Sequence, residues 1–223
     1  MTIKLFVQAI MKFLLGVVLV GLLIFLPAGT LSYFNGWLFI GVLFIPMFIA
    51  GIIMMIKNPT LLKARLDGKE KQKEQGLLIK LSGLMFIAGF IVAGFDYRYS
   101  FIKIPSWISY VASVTLLLAY LLWAEVLREN TYLARTIKVV EGQQVIDKGL
   151  YGIVRHPMYS ATIILFLSMP LVLGSLVSFF IFLLYPIIIV SRIIHEEKFL
   201  EKELDGYKQY KEKVKYRLFP FIW

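Results

Sequence analysis

An uncharged run over residues 157–191 constrains this chain more than any other feature, framed by Arg155-His156-Pro157-Met158-Tyr159 before it and Arg192-Ile193-Ile194-His195-Glu196-Glu197 after it. At about 1.5 Å per residue, one helix over the run would reach about 52 Å, against roughly 30 Å of bilayer hydrocarbon. A single straight spanning helix is therefore excluded. Pro170 and Gly174-Ser175 divide the run into two apolar segments of about 17 residues each, and folding there makes a transmembrane hairpin whose ends return to the same membrane face. Both histidines of the chain, two arginines and a Glu pair then converge at one membrane surface. Polar groups at such depth are costly and are functional candidates by default.

The chain has 59% hydrophobic and 17% charged residues with a mean hydropathy of +0.78, more apolar than a soluble domain of this size requires. Residues 13–56 carry no charge, and further apolar spans cover 77–95 and 104–124. With the hairpin this gives six crossings, five being the alternative, in an all-α polytopic membrane bundle with a cytoplasmic C-terminal helix. The first segment reads as a retained helix, because a second full-length span follows directly with no small-residue cleavage pattern between them. Zero cysteines exclude disulfides, thiolate zinc sites and a catalytic Cys.

A net charge of +10 raises the question of nucleic acid, yet the basic residues follow membrane topology. Lys4 and Lys12 precede the first span; six Lys and Arg fall in residues 57–76, five in 127–156 and eight from 191 onward. On the other side stand only Arg98 and Lys103. The positive-inside rule places both termini and both polar clusters in the cytoplasm, in a protein of the cytoplasmic membrane. The expected partner is the lipid bilayer, and no nucleic acid is expected.

The whole chain reads as one membrane domain, 1–223. Within it, residues 1–76 form an N-terminal hairpin and cytoplasmic loop, and 77–223 a catalytic core with its pocket in 125–223. The first hairpin is expected to turn at Asn35-Gly36, with Tyr33 and Trp37 as interfacial aromatics. The mixed charges of 57–76 suggest a short solvated helix with some attraction to anionic headgroups. From 127 to 149 the weak alternation predicts an irregular loop with a short strand pair around Glu141-Gly142. Past Ser191 the last span continues as a helix through Lys198, Leu200, Leu204 and Tyr207, interrupted near Gly206, and the tail Phe219-Pro220-Phe221-Ile222-Trp223 suits interfacial docking.

His156 precedes a proline, which disfavours helical geometry at His156 and makes Pro157 a natural first helical residue. Free N–H groups and the positive dipole end would then sit beside Arg155 and His156, a setting for an anion or carboxylate. Across the hairpin, Arg192, His195 and Glu196 are spaced i, i+3, i+4 on one helical face, with Glu197 about 100° further round. One glutamate can point squarely inward. A metal site from His156, His195, Glu196 and Glu197 lacks the short-spaced His pair on one helix that signals zinc, so no metal is expected.

The ordered combination of Gly149-Leu150-Tyr151, Arg155-His156-Pro157-Met158-Tyr159, Glu196-Glu197 and Gly206-Tyr207-x-x-Tyr210 resembles the isoprenylcysteine carboxyl methyltransferase superfamily. That group is similar in turn to membrane phospholipid N-methyltransferases and methanethiol S-methyltransferases. The likeness covers residues 125–223. It departs at Leu150, where many relatives have Pro, which alters loop stiffness more than chemistry. The resemblance implies transfer of the methyl group of S-adenosylmethionine, bound without a Rossmann domain in a cytoplasmic pocket; the absence of a Gly-x-Gly-x-x-Gly fingerprint agrees.

The implied catalytic set is Arg155, His156, Glu196 and Glu197. The implied cofactor wall takes in Gln144, Val145 and residues 149–159 through Gly149, Leu150, Tyr151, Arg155, His156, Pro157 and Tyr159. It adds His195 and Glu196 on the last span and Tyr207 and Tyr210 on the covering helix. Arg155 and the helix start would face the cofactor carboxylate, the glutamates its positive charge, and the two tyrosines the adenosine. Methyl transfer is an in-line displacement at an activated carbon, so alignment and exclusion of water matter most. A carboxylate or thiolate acceptor needs no base, whereas an amine or thiol would call on His156 or a glutamate. An apolar groove between the third, fourth and fifth spans would admit a lipophilic or small-molecule acceptor. A small transporter and a non-catalytic scaffold are the competing classes.

Overall fold

The computed structural model describes residues 3–66, 73–130, 132–133, 139 and 142–223, and every regular element among them is helical. In chain order these are α1 (Ile3–Ala28), α2 (Phe34–Lys57), α3 (Pro59–Leu66), α4 (Lys73–Tyr99), α5 (Ser106–Glu129), a 3-10 turn (Gly149–Gly152), α6 (Pro157–Val172), α7 (Leu176–Phe182), α8 (Leu184–Glu203) and α9 (Tyr207–Lys213). Among the described residues five stretches are long and apolar enough to cross a membrane: Leu5–Ala28, Phe34–Lys57, Gln75–Tyr99, Ser106–Glu129 and Leu176–Glu203, the last running through α7 and α8.

The expected sixth crossing is α6, and its 16 residues fall short. At about 1.5 Å per residue it reaches about 24 Å, less than the roughly 30 Å of hydrocarbon. Its surroundings explain how that length is tolerated: Tyr159, Ile163, Met169 and Val172 are buried in the bundle, and a helix enclosed by protein need not match lipid thickness.

The hairpin divides where the punctuation residues stand. Gly174 adopts φ +77, its N–H donates to the Leu171 carbonyl at 3.0 Å, and the Ser175 N–H donates to the Pro170 carbonyl at 2.9 Å, closing α6 through a left-handed cap. Ser175 Oγ then accepts from the Ser178 N–H and starts α7. Pro186 accounts for the step between α7 and α8 at Leu183: it has no N–H for the Phe182 carbonyl, and its ring crowds that group. Polar contacts pin this far end of the bundle. Tyr33 donates its hydroxyl to the Leu173 carbonyl, Ser175 Oγ donates to Asp96 at 2.6 Å, and Asn35 Nδ2 donates to Ser109 Oγ at 3.1 Å.

Other expectations change. The first hairpin reverses just before α2, with Gly29 at φ +70, and Asn35-Gly36 lies in the first turn of α2. Asn35 serves instead to hold Ser109, and Gly36 admits Phe25, whose ring carbons lie 3.0 Å from where a Cβ would stand. The loop after α2 does contain a helix, α3, but Leu61 and Leu62 are buried, so it is packed on one side. Asp67, Lys69, Glu70 and Lys71 of that loop, and Glu141 of the expected strand pair, lie outside the described residues. The C-terminal break appears as expected: α8 ends at Glu203 and Gly206, at φ +83, opens α9.

Gly94 lies where α4 meets α1, and a Cβ there would stand 2.5 Å from the Ile24 carbonyl oxygen. Gly94→Ala is expected to destabilise the fold by about 1–3 kcal/mol, read as a lower thermal midpoint in detergent. Gly41→Ala, in open space, should leave the midpoint unchanged or slightly raised. Equal midpoints would contradict the close α1–α4 contact.

Candidate functional site

Pro157 is the first residue of α6 and His156 its N-cap, at φ −128 and ψ 59. The two residues before the proline therefore stand outside the helix with their N–H groups free to pair, and a strap formed by residues 214–218 takes them. The Arg155 N–H donates to the Tyr216 carbonyl and the His156 N–H to the Arg217 carbonyl, both at 2.9 Å. Ser160 Oγ donates to the Leu218 carbonyl at 2.6 Å, and Arg155 Nη1 donates to the Val214 and Lys215 carbonyls at 2.7 and 3.0 Å.

Glu197 sits at the centre of these elements, 3% exposed. Its Oε1 accepts from Arg155 Nε at 2.7 Å and contacts His156 Nε2 at 3.2 Å. Its Oε2 accepts from Arg217 Nε at 3.0 Å and lies 3.6 Å from Lys211 Nζ. A carboxylate this deep persists only when paired and hydrogen-bonded. Here it ties α8 to the start of α6, to α9 and to the strap.

Beside this cluster opens a cleft with about 840 Å³ of empty space, counting its open mouth. Arg155, His156, Tyr159, Arg192 and Glu196 form its polar side. Arg192 Nε donates to the Tyr159 hydroxyl at 2.8 Å, and that hydroxyl donates to Glu196 Oε2 at 2.5 Å. Glu196 is thus held by a charge-assisted chain. The covering side comes from α9 and its surroundings, where Leu204, Tyr207, Tyr210 and Val214 pack with Val139, Val145 and Leu200. Tyr210 donates to the Tyr151 carbonyl at 2.8 Å, which fastens this cover to the 3-10 turn.

The Tyr207 hydroxyl is buried and has no hydrogen-bond partner among the described residues, although Tyr207 lines the cleft. Burial, reinforced by the charges of Glu197 and Glu196, pushes that hydroxyl far above the ordinary phenol range, so it remains a neutral donor. The hydroxyl is thus a buried donor without an acceptor among the described residues, on a residue that lines the cleft.

Of the sequence-predicted site residues, Gln144, Val145, Tyr151, Arg155, His156, Tyr159, Glu196, Tyr207 and Tyr210 line this one cleft. Gly149, Leu150, Pro157, His195 and Glu197 do not. Gly149 and Leu150 act one step back: the Leu150 N–H donates to Glu129 Oε2 at 2.9 Å, and Gly149, at φ +58, leaves no room for a Cβ against the same carboxylate. They set Tyr151 in the wall. Pro157 is used to start α6. His195 Nδ1 donates to the Ser191 carbonyl, one turn back on its own helix, at 2.7 Å. Neighbouring residues on a helix diverge by about 100°, so with Glu196 at the cleft His195 is carried away from it, and Glu197 turns under the floor.

The prediction also missed residues. Arg192, Leu200 and Leu204 line the cleft, and with Glu196 they form an i, i+4 series down α8 to its C-cap; the spacing in the sequence puts Arg192 on the face of Glu196 and the two leucines on the continuing helix without assigning them to the wall. Asn130, Tyr132, Leu133, Gln143, Ile146 and Met158 complete the wall. Met158 is approached at Sδ, 3.5 Å away, by Arg65 Nη1 of α3, whose guanidinium lies 5.2 Å from the Trp123 ring centroid. Among the described residues no group of His, Cys, Asp and Glu has an arrangement that could hold a metal ion.

Residues 110–202 match the family model of the isoprenylcysteine carboxyl methyltransferase (ICMT) family, which bears out the resemblance carried by the motifs. The match takes in most of α5, the 3-10 turn, α6, α7 and nearly all of α8, and stops before Tyr207 and Tyr210. The chain is also 32% identical, over 91 residues, to the Delta(14)-sterol reductase TM7SF2 of Mus musculus; that stretch is 40% of this chain and 22% of that protein. The chain thus aligns with well under two thirds of this relative.

Glu197→Gln leaves Arg155 and Arg217 facing a neutral group, and is expected to cost about 3–5 kcal/mol of stability, the loss typical of breaking a buried ion pair from one side. Glu196→Gln, at the cleft, should cost far less. Equilibrium unfolding in detergent compares the two, and equal losses would contradict the division of labour between the neighbouring glutamates.

Proposed function

We propose that this protein is an integral-membrane methyltransferase that uses S-adenosylmethionine and acts on a lipophilic or small acceptor reaching the cleft from the bilayer or from water. The observation that carries this reading is a cleft bounded by the ICMT-family segment and α9, in which a fixed carboxylate, Glu196, and an unsatisfied hydroxyl, Tyr207, stand among aromatic and aliphatic walls. Those groups suit the ligand's chemistry: a carboxylate for its ammonium and sulfonium charges, a donor for its ribose or carboxylate oxygens, and apolar surface for its adenine.

When bound, S-adenosylmethionine supplies a methyl group already activated by the sulfonium. The chain's task is then alignment and exclusion of water. Arg192 and Tyr159 hold Glu196 in one orientation, and α9 with Leu200 and Leu204 covers the cleft. For an acceptor that must lose a proton, Glu196 is the candidate base, because Glu197 is engaged on both oxygens and His156 Nε2 faces Glu197. The distribution of Lys and Arg supports a cytoplasmic opening for the cleft.

A second reading has one observation in its favour, the likeness to a protein named as a sterol reductase. On that reading the cleft takes a reduced nicotinamide nucleotide as hydride donor.

Calorimetry on the protein in nanodiscs separates the two. Saturable heat is expected with S-adenosylmethionine, and Tyr207→Phe should raise Kd about tenfold, the worth of roughly one hydrogen bond. Because the hydroxyl has no partner among the described residues, the same substitution should leave the ligand-free unfolding midpoint unchanged or higher. Saturation by the reduced nicotinamide nucleotide with none by S-adenosylmethionine would transfer the assignment to the reductase reading.

A further inference from the structure

Beyond the strap, residues 219–223 make a tight turn whose side chains oppose its backbone geometry. The Ile222 and Trp223 N–H groups both donate to the Phe219 carbonyl, at 3.2 and 3.3 Å, and the Trp223 carbonyl accepts from the Arg217 and Leu218 N–H groups at 2.8 and 3.0 Å. Pro220 takes the second position of this turn, and Phe221 follows at φ +66. That is the pattern of a type II turn, in which the third position ordinarily goes to Gly or Asn. A bulky aromatic residue there is strained. Its ring meets Tyr216, with centroids 5.3 Å apart, yet little of it is buried, so packing offsets the strain only in small part and the position points to a functional demand.

The strained position presents a fully open apolar tip: Phe221 is 89% exposed and Ile222 81%. Their neighbours behave oppositely, since Phe219 and Trp223 pack against the core of the membrane bundle and Arg217 lies over the Trp223 ring, 4.7 Å from its centroid. The turn hangs from the strap paired with Arg155 and His156, so it sits at the level where the apolar α6 begins. Of the basic residues nearby, Lys211 is paired with Glu201, Lys213 with Asp147 and Arg217 with Glu197, while Lys208 of α9 and Lys215 of the strap are exposed.

We propose that the Phe221-Ile222 tip is a membrane-interface anchor that inserts into the headgroup region of an anionic leaflet, with the exposed Lys215 of the strap set against lipid phosphates. A lipid surface fits because the apolar tip, the exposed lysine and the level of the turn coincide. The anchor also bears on the site, since Arg217 joins the turn to Glu197 at 3.0 Å. This inference is independent of which cofactor the cleft takes.

The chain contains no cysteine, so Phe221→Cys, Ile222→Cys and, on α9, Lys208→Cys each accept a single nitroxide in the full chain. In nanodiscs containing phosphatidylglycerol, labels at 221 and 222 are expected to collide several-fold more with membrane-soluble oxygen, relative to an aqueous nickel chelate, than the label at 208. In a Phe221→Gly background, which relieves the strain and should keep or raise the unfolding midpoint, the label at 222 should lose about half of that preference. Tip labels as water-accessible as the one at 208 would overturn the proposal. Tip labels shielded from both reagents would do so too, by marking a protein contact instead.

Discussion

A single buried carboxylate organises the functional end of this molecule. Glu197 faces Arg155, His156, Arg217 and Lys211 in a place with little access to water. The desolvation cost of such a group is offset only when its partners are all in position. The start of α6, the end of α8, α9 and the strap therefore dock as a set, because an incomplete set leaves charge buried without a counterpart. The cleft is the space this docking leaves. Glu196, one residue earlier and about 100° round the helix, is turned into it while Glu197 is held beneath.

The opposite end of the bundle supplies a matching constraint. Tyr33 holds the Leu173 carbonyl and Asp96 holds Ser175 at the α6–α7 turn, and Asn35 joins Ser109 beside it. With α6 short and fastened at both ends, its first turn has little freedom to shift along the membrane normal. The proposed methyl transfer would need this, since small displacements of positioning groups cost much of the rate.

What could be read from the sequence was what local chemistry decides. Pro170 and Gly174-Ser175 divide the long run, Pro157 begins α6, and Gly206 separates α8 from α9, because proline and glycine act on the backbone where they stand. The meeting of the two polar clusters followed from the hairpin. What could not be read depends on remote partners. Gly149 looked like a cofactor contact, yet its requirement comes from Glu129 at the end of α5. His195 and Glu196 were placed on one face by spacing, but only packing decides which of two adjacent residues turns inward. Asn35-Gly36 had the appearance of a turn, and its actual use, a contact to Ser109 and room for Phe25, lies across the bundle. The strap's pairing with Arg155 and His156 has no local signature at all.

The account rests on Glu197 and Arg155 acting as one unit, and a double-mutant cycle with Arg155→Met and Glu197→Met tests this most directly. Each single change takes from the remaining buried charge its nearest opposite charge, whereas the double change removes both charges of the pair. The two losses in unfolding free energy should therefore fall short of additivity by about 2–3 kcal/mol. Strictly additive losses would mean that the two groups do not sense each other, and the clasp would not be what shapes the cleft.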